Sequence, residues 1–277
     1  MSKFTLNHLF FSSIISLSIS LSLPFSVFAE TPKQPQTETK ETAKESQVGN
    51  GKHHWSYSGK EGPEFWGELS KDYKTCKIGS NQSPIDIKGS LLDANLPPIK
   101  FKYNMLTPGT VKNNGHTVQV DMWSGGVITV DDIEFKLKQF HFHTPSENKI
   151  NGQSFPLEAH FVHLSEKNEI AVVAILFSPG VDDPTLKNLW EKLPMNAGDS
   201  VKAESDAMKR LEFEGDLKNY YRFNGSLTTP PCTEGVRWIV MKQAFSVSKE
   251  QVEKLQQALK QANNRPVQPL NARVILK

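Results

Sequence analysis

The chain has 277 residues, a formal net charge of +2 and 22% charged residues. Its lysines and arginines form no stripe, which argues against nucleic acid as a partner, because phosphate-tracking surfaces need clustered cations. Its 16 phenylalanines and 5 tryptophans can fill a substantial core, and the length suits one large all-β domain.

The N-terminus reads as a targeting segment. Lys3 supplies positive charge, and Leu9 to Phe28 is apolar apart from serines and Pro24. Val27-Phe28-Ala29 fits a small-residue cleavage site, so residues 1–29 are predicted to be a signal peptide cut after Ala29. The alternative is an uncleaved anchor, but the interruptions and the cleavage sequence oppose a stable membrane anchor. The mature protein is therefore expected to be periplasmic or secreted. No cysteine follows the apolar run, so a lipoprotein anchor is not supported. Residues 30–52 are rich in Thr, Lys, Glu, Gln and Pro. They offer little to bury and are expected to form a disordered leader. His53 and His54 close it, read as exposed histidines rather than a surface metal pair.

A single folded domain over 53–277 is expected, opening on Trp55, Tyr57, Phe65 and Trp66. Pro63-Glu64 suits a short helix near 63–70. Short β-rich runs then alternate with Gly, Pro and Asn turns. They are 99–103, 116–121, 126–130, 133–142, 157–165, 170–178, 220–224, 236–245 and 274–276. Asp183-Pro184 predicts a helix start, with Leu186, Leu189, Trp190 and Leu193 on one face. Ser248 and Gln251 make a capping box before Val252, Leu255, Leu259 and Ala262. The predicted fold is mainly β (α+β): one large, mostly antiparallel twisted central sheet with a few short peripheral helices.

Four of the eight histidines fall within 141–163. Strand parity puts Gln139, His141 and His143 on one face and Phe140 and Phe142 on the other. In the next run Glu158, His160 and Val162 share a face, and His163 points away. Two neighbouring strands can aim three imidazoles at one point. Three neutral imidazoles with one open position form the catalytic type of zinc site. Satisfied core histidines are the plainer alternative. Parity forbids His160 and His163 from joining together, and Glu158 on the face of His160 favours His160 as the third ligand.

The histidine blocks, Q-F-H-F-H-T-P-S-E-N and L-E-A-H-F-V-H, resemble the alpha-class carbonic anhydrases. So do N-Q-S-P-I-D-I (Asn81 to Ile87), N-N-G-H (Asn113 to His116), G-S-L-T-T-P-P-C (Gly225 to Cys232) and N-R-P-V-Q-P-L-N (Asn264 to Asn271). These blocks follow family order and cover roughly 55–276, and the exported bacterial members are the most similar. The resemblance implies reversible hydration of carbon dioxide to bicarbonate and a proton, by attack of a zinc-bound hydroxide. The water pKa of about 7 that makes this feasible is the family's own value.

The resemblance also implies roles. His141, His143 and His160 would hold Zn2+. Gln139 and Glu158 would accept from His141 and His160, and a backbone carbonyl would serve His143. Glu147 would accept from Thr228, leaving Thr228 to accept from the hydroxide. Thr229 would lie near bicarbonate, and Val162, Val172, Leu227 and Trp238 would wall the carbon dioxide pocket. Spacing alone reads those four as core. His116 matches the proton shuttle, and Tyr57 and Asn114 match residues that order its water chain. Cys76 and Cys232 are the only cysteines. In an oxidising compartment they are expected to bond, fastening the Thr228 loop; two free thiols are the alternative. Family members in bacteria are sometimes homodimers, and no stretch here identifies an interface.

Two other functions compete. A metal-free binding module of the same fold would have lost a zinc histidine, and all three are kept. A zinc esterase or other hydrolase would use the same hydroxide, but no second pair for protonating a leaving group is evident.

Overall fold

Runs such as Gly109–Asn113 and Val118–Met122 bury every second side chain, the period-two signature of a sheet. The computed structural model describes residues 54–89, 91–103, 109–122, 125–203 and 219–277. Both N-terminal segments expected from the sequence, 1–29 and 30–52, and His53 lie outside the described residues. No helix among the described residues is long and apolar enough to cross a membrane.

The strands are β1 (Asp86–Ile87), β2 (Lys100–Lys102), β3 (Gly109–Asn113), β4 (Val118–Met122), β5 (Val127–Val130), β6 (Ile133–His143) and β7 (Lys149–Ile150). Then come β8 (Leu157–Leu164), β9 (Ile170–Pro179), β10 (Ser200–Lys202), β11 (Tyr220–Ser226), β12 (Glu234–Met241) and β13 (Phe245–Val247). The main sheet runs β10-β3-β4-β6-β8-β9-β12-β11, with β5 also on β6, β2 on β5 and β13 on β9. Its pairs are antiparallel except β9 with β12 and β9 with β13. A large, mostly antiparallel sheet with few short helices is therefore what the chain forms.

Among the described residues four α-helices lie at the periphery: α1 (Trp66–Leu69), α2 (Thr75–Ile78), α3 (Pro184–Glu191) and α4 (Lys249–Leu259). Asp183 Oδ1 caps α3 by accepting the N–H groups of Thr185 and Leu186 at 2.9 and 2.8 Å. The capping box of Ser248 and Gln251 starts α4. That helix stops sooner than the apolar spacing suggests. Lys260 turns left-handed at φ 63°, Ala258 takes the buried position, and Ala262 is exposed beyond the end. The expected run 236–245 divides into β12 and β13, which pair β9 at separate places, Ala171–Ala174 and Phe177–Pro179. The expected 274–276 strand is reduced to bridges from Leu276 to Leu92 and Arg222.

One row of cross-strand partners explains how the sheet divides its labour. Phe140, Phe161, Val173 and Ile239 are neighbours across β6, β8, β9 and β12. All four are buried in the cluster that α3 and α4 cover. One residue along, Gln139, Val162, Val172 and Trp238 are neighbours across the same strands. By parity they face the other way, where Val172 and Trp238 belong to a second core.

Candidate active site

The second face carries the histidines. His141 pairs directly with His160 and His143 with Glu158 across β6 and β8. Directly opposed residues share a face, so one register delivers Gln139, His141, His143, Glu158 and His160 together. The three ligand nitrogens lie within 4.8 Å of one another. His163 sits opposite Leu137, beyond a register shift. It is buried in the other core, with Nε2 2.5 Å from the Tyr103 hydroxyl.

Each imidazole has one nitrogen already engaged. His141 Nδ1 lies 2.8 Å from Gln139 Oε1, His143 Nδ1 2.7 Å from the Asn263 carbonyl, and His160 Nε2 2.9 Å from Glu158 Oε1. Those acceptors take the ring N–H and leave the other nitrogen's lone pair pointing inward. Burial pushes all three below the usual histidine value, and the neighbouring imidazoles depress His141 and His160 further. His143 Nε2 is buried with no hydrogen-bond partner. A neutral, inward-facing donor set with one orphaned nitrogen suits a divalent, borderline-soft cation.

Glu158 is fully used. Its oxygens accept from the Glu147 and Asn148 backbone N–H groups, from Asn148 Nδ2 and from His160. Burial raises its carboxyl, and the Asn148 side chain opposes that rise most strongly. Glu147 Oε1 accepts the Arg265 N–H at 2.8 Å. Its Oε2 lies 3.5 Å from His143 Nε2 and 3.9 Å from His160 Nδ1. Burial pushes the Glu147 carboxyl well up, while the Arg265 N–H and the Thr228 hydroxyl favour its ionised form.

Thr228 is buried and Thr229 half-buried, on the loop after β11. The Thr229 carbonyl accepts the Cys232 N–H at 2.8 Å, and Cys232 is bonded to Cys76. Gly225 lets this loop begin close to its neighbours, since a Cβ there would collide with Ser83 Oγ and Trp238 Cδ1. Trp238 meets His160 edge-on at 4.9 Å, and Val162 and Leu227 border its cluster. All four expected wall residues therefore lie on the histidine face or at its border.

His116 lies in the β3–β4 turn, where Gly115 takes φ 86°. Asn114 Oδ1 accepts the N–H groups of His116 and Thr117, both at 2.9 Å. The Asn114 oxygen thus shapes the turn, leaving its amide nitrogen for any water contact. The His116 ring stacks on Trp55 at 3.8 Å and 8°. Burial lowers its pKa, and His54, 6.5 Å away, adds to the effect. Tyr57 lies near Glu147 and Arg265; burial and Glu147 hold its hydroxyl up.

Three further residues take part that no local sequence pattern marks out. Trp55 shows in the sequence only as one member of an aromatic cluster. Arg265 is 2% exposed. It donates to Gln82 Oε1, the Ser83 carbonyl and the Cys76 carbonyl at 2.9, 2.8 and 3.0 Å. Burial brings its pKa down to about 10. Asn263 stands one residue before the N-R-P-V-Q-P-L-N block, outside every block that carries the resemblance.

Residues 61–277 match the family model described as eukaryotic-type carbonic anhydrase. The chain belongs to that family. It is 47% identical over 233 residues to a carbonic anhydrase of Neisseria gonorrhoeae, covering 83% of this chain and 91% of that one. A solved alpha-carbonic anhydrase of Thermovibrio ammonificans, in complex with the inhibitor sulfanilamide, superposes with a TM-score of 0.76 at 46% identity. The match spans 82% of this chain and all of that one. Dioscorin dioA3 of Dioscorea japonica is 39% identical over 222 residues, 77% of this chain and 81% of its own.

Proposed function

We propose that this protein is a zinc-dependent carbonic anhydrase, interconverting carbon dioxide and water with bicarbonate and a proton. The convergence of His141, His143 and His160 carries the reading, each ring having its second nitrogen engaged. Zinc held there supplies a water acidic enough to serve as hydroxide near neutral pH, a property of carbonic anhydrases as a class.

The chain's own residues do the rest. Gln139, the Asn263 carbonyl and Glu158 fix the tautomers. Glu147 accepts a hydrogen bond from the Thr228 hydroxyl, which leaves the Thr228 oxygen free to accept in turn from a group in the cleft. Val162, Val172, Leu227 and Trp238 offer an apolar surface to carbon dioxide, and Thr229 a polar one to bicarbonate. His116 carries the released proton toward solvent, with Tyr57 and Asn114 ordering water between. Its lowered pKa favours giving the proton up to buffer once taken.

The inferred signal peptide 1–29 implies export, and the Cys76–Cys232 bond suits an oxidising compartment. N-terminal sequencing of the exported protein should begin near Glu30. Stopped-flow hydration of carbon dioxide, run beside hydrolysis of an aryl ester, tests the main reading. Fast hydration with only weak esterase activity supports it. Ester hydrolysis without hydration would make it a hydrolase, and neither activity in zinc-loaded protein would favour a binding module.

A further inference from the structure

We propose that Asn263 is a positioning residue that fixes the shuttle histidine relative to the metal-ligating strand. This rests on the shuttle reading of His116. Asn263 is 1% exposed, and its side chain makes three hydrogen bonds. Oδ1 accepts the Thr144 N–H at 2.8 Å. Nδ2 donates to the Phe142 carbonyl at 2.8 Å and to the His116 carbonyl at 3.0 Å. An amide nitrogen has two protons, so one goes to the end of β6 and the other to the shuttle turn. The carbonyl of the same residue holds His143 Nδ1 at 2.7 Å.

One residue therefore gauges both partners of the proton transfer. Its backbone orients a metal-site imidazole, and its side chain ties down the backbone of His116. The turn itself is shaped internally by Asn114. Besides the β4–β6 pairing that begins at Gln119 and the stacking of His116 on Trp55, the turn is held to β6 by Asn263 and by the Thr117 hydroxyl, which donates to the Phe142 carbonyl at 2.6 Å and accepts the Phe142 N–H at 3.2 Å. Proton transfer through water depends steeply on the spacing of donor and acceptor. Displacing a group by an ångström can cost about a hundred-fold in rate. Attack on carbon dioxide does not involve His116 and should be spared.

The test uses zinc-loaded full-length protein and the variants Asn263→Asp, Asn263→Ser, His116→Ala and Asn263→Asp/His116→Ala. Aspartate keeps the shape and the acceptor for Thr144 but sets an oxygen against two carbonyls. Serine keeps a hydroxyl but cannot span both carbonyls, and it takes over the comparison if the aspartate variant does not fold. Zinc content is matched to the native protein first.

The expected result is a kcat at low buffer about ten-fold down, with kcat/KM for carbon dioxide within about two-fold. Added imidazole should restore kcat. In the His116→Ala background the Asn263 change should add nothing. Native-like kcat at low buffer would overturn the proposal. So would an equal fall in kcat and kcat/KM, or additivity with His116→Ala, since either would mean that Asn263 acts only through the fold or through His143. If His116→Ala alone leaves low-buffer kcat intact, the shuttle assignment fails and the proposal goes with it.

Discussion

Replacing His163 with phenylalanine should weaken the protein at neutral pH and lose that penalty in mild acid. His163 is wholly buried, with Nδ1 3.3 Å from the Ala171 carbonyl and Nε2 facing the Tyr103 hydroxyl. Burial lowers its pKa from 6.5 to about 4, against the smaller opposing pull of backbone carbonyls. Between those values the unfolded chain binds a proton that the folded chain refuses. Stability must therefore fall as pH falls through this window. The full difference corresponds to about 3 kcal/mol, of which roughly 2 kcal/mol is expressed by about pH 5. The phenylalanine variant cannot titrate there. It costs about 1–3 kcal/mol at neutral pH, because the hydroxyl and the carbonyl lose this partner. Urea unfolding of both proteins at about pH 7.5 and about pH 5, followed by tryptophan fluorescence, should show the native advantage shrink by about 2 kcal/mol. Other titrating groups cancel in the difference. A constant gap between the two proteins at both pH values would refute the reasoning.

The same residue separates from its neighbour in metal binding: His160→Ala should abolish zinc retention and hydration, whereas His163→Phe should keep one zinc. Metal analysis after gel filtration decides between them. His116→Ala should lower kcat at low buffer and spare kcat/KM, with imidazole restoring turnover. Replacing Cys76 and Cys232 with alanine opens a bridge across a sequence separation of 156 residues. The chain-entropy model puts the loss at about 5 kcal/mol, and a calorimetric melt of each protein would measure it.

Much of the site was legible because the sheet obeys parity. Gln139, His141 and His143 had to share a face, and so did Glu158, His160 and Val162. What parity could not supply was the register that sets His141 against His160. That depends on the bulge near Lys138 and on packing across the whole sheet. His163 was placed away from the site by alternation alone, and its burial with Tyr103 agrees. The short strands β3 and β10 are not legible in the sequence, because Gly, Lys and Ser dilute their apolar signal and their pairing is long-range. Asn263 and Arg265 act through backbone carbonyls contributed by distant segments. No local pattern announces such bonds, although Arg265 lies inside the N-R-P-V-Q-P-L-N block. Trp55 was visible only as an aromatic, since its stacking on His116 joins residues 61 positions apart.

The most direct test is to strip the purified protein of metal and titrate zinc back while following carbon dioxide hydration. Activity should be negligible without metal, rise linearly with added zinc and level off at one equivalent per chain. Hydration that is undiminished in the metal-free protein, or absent at full zinc loading, would contradict the account.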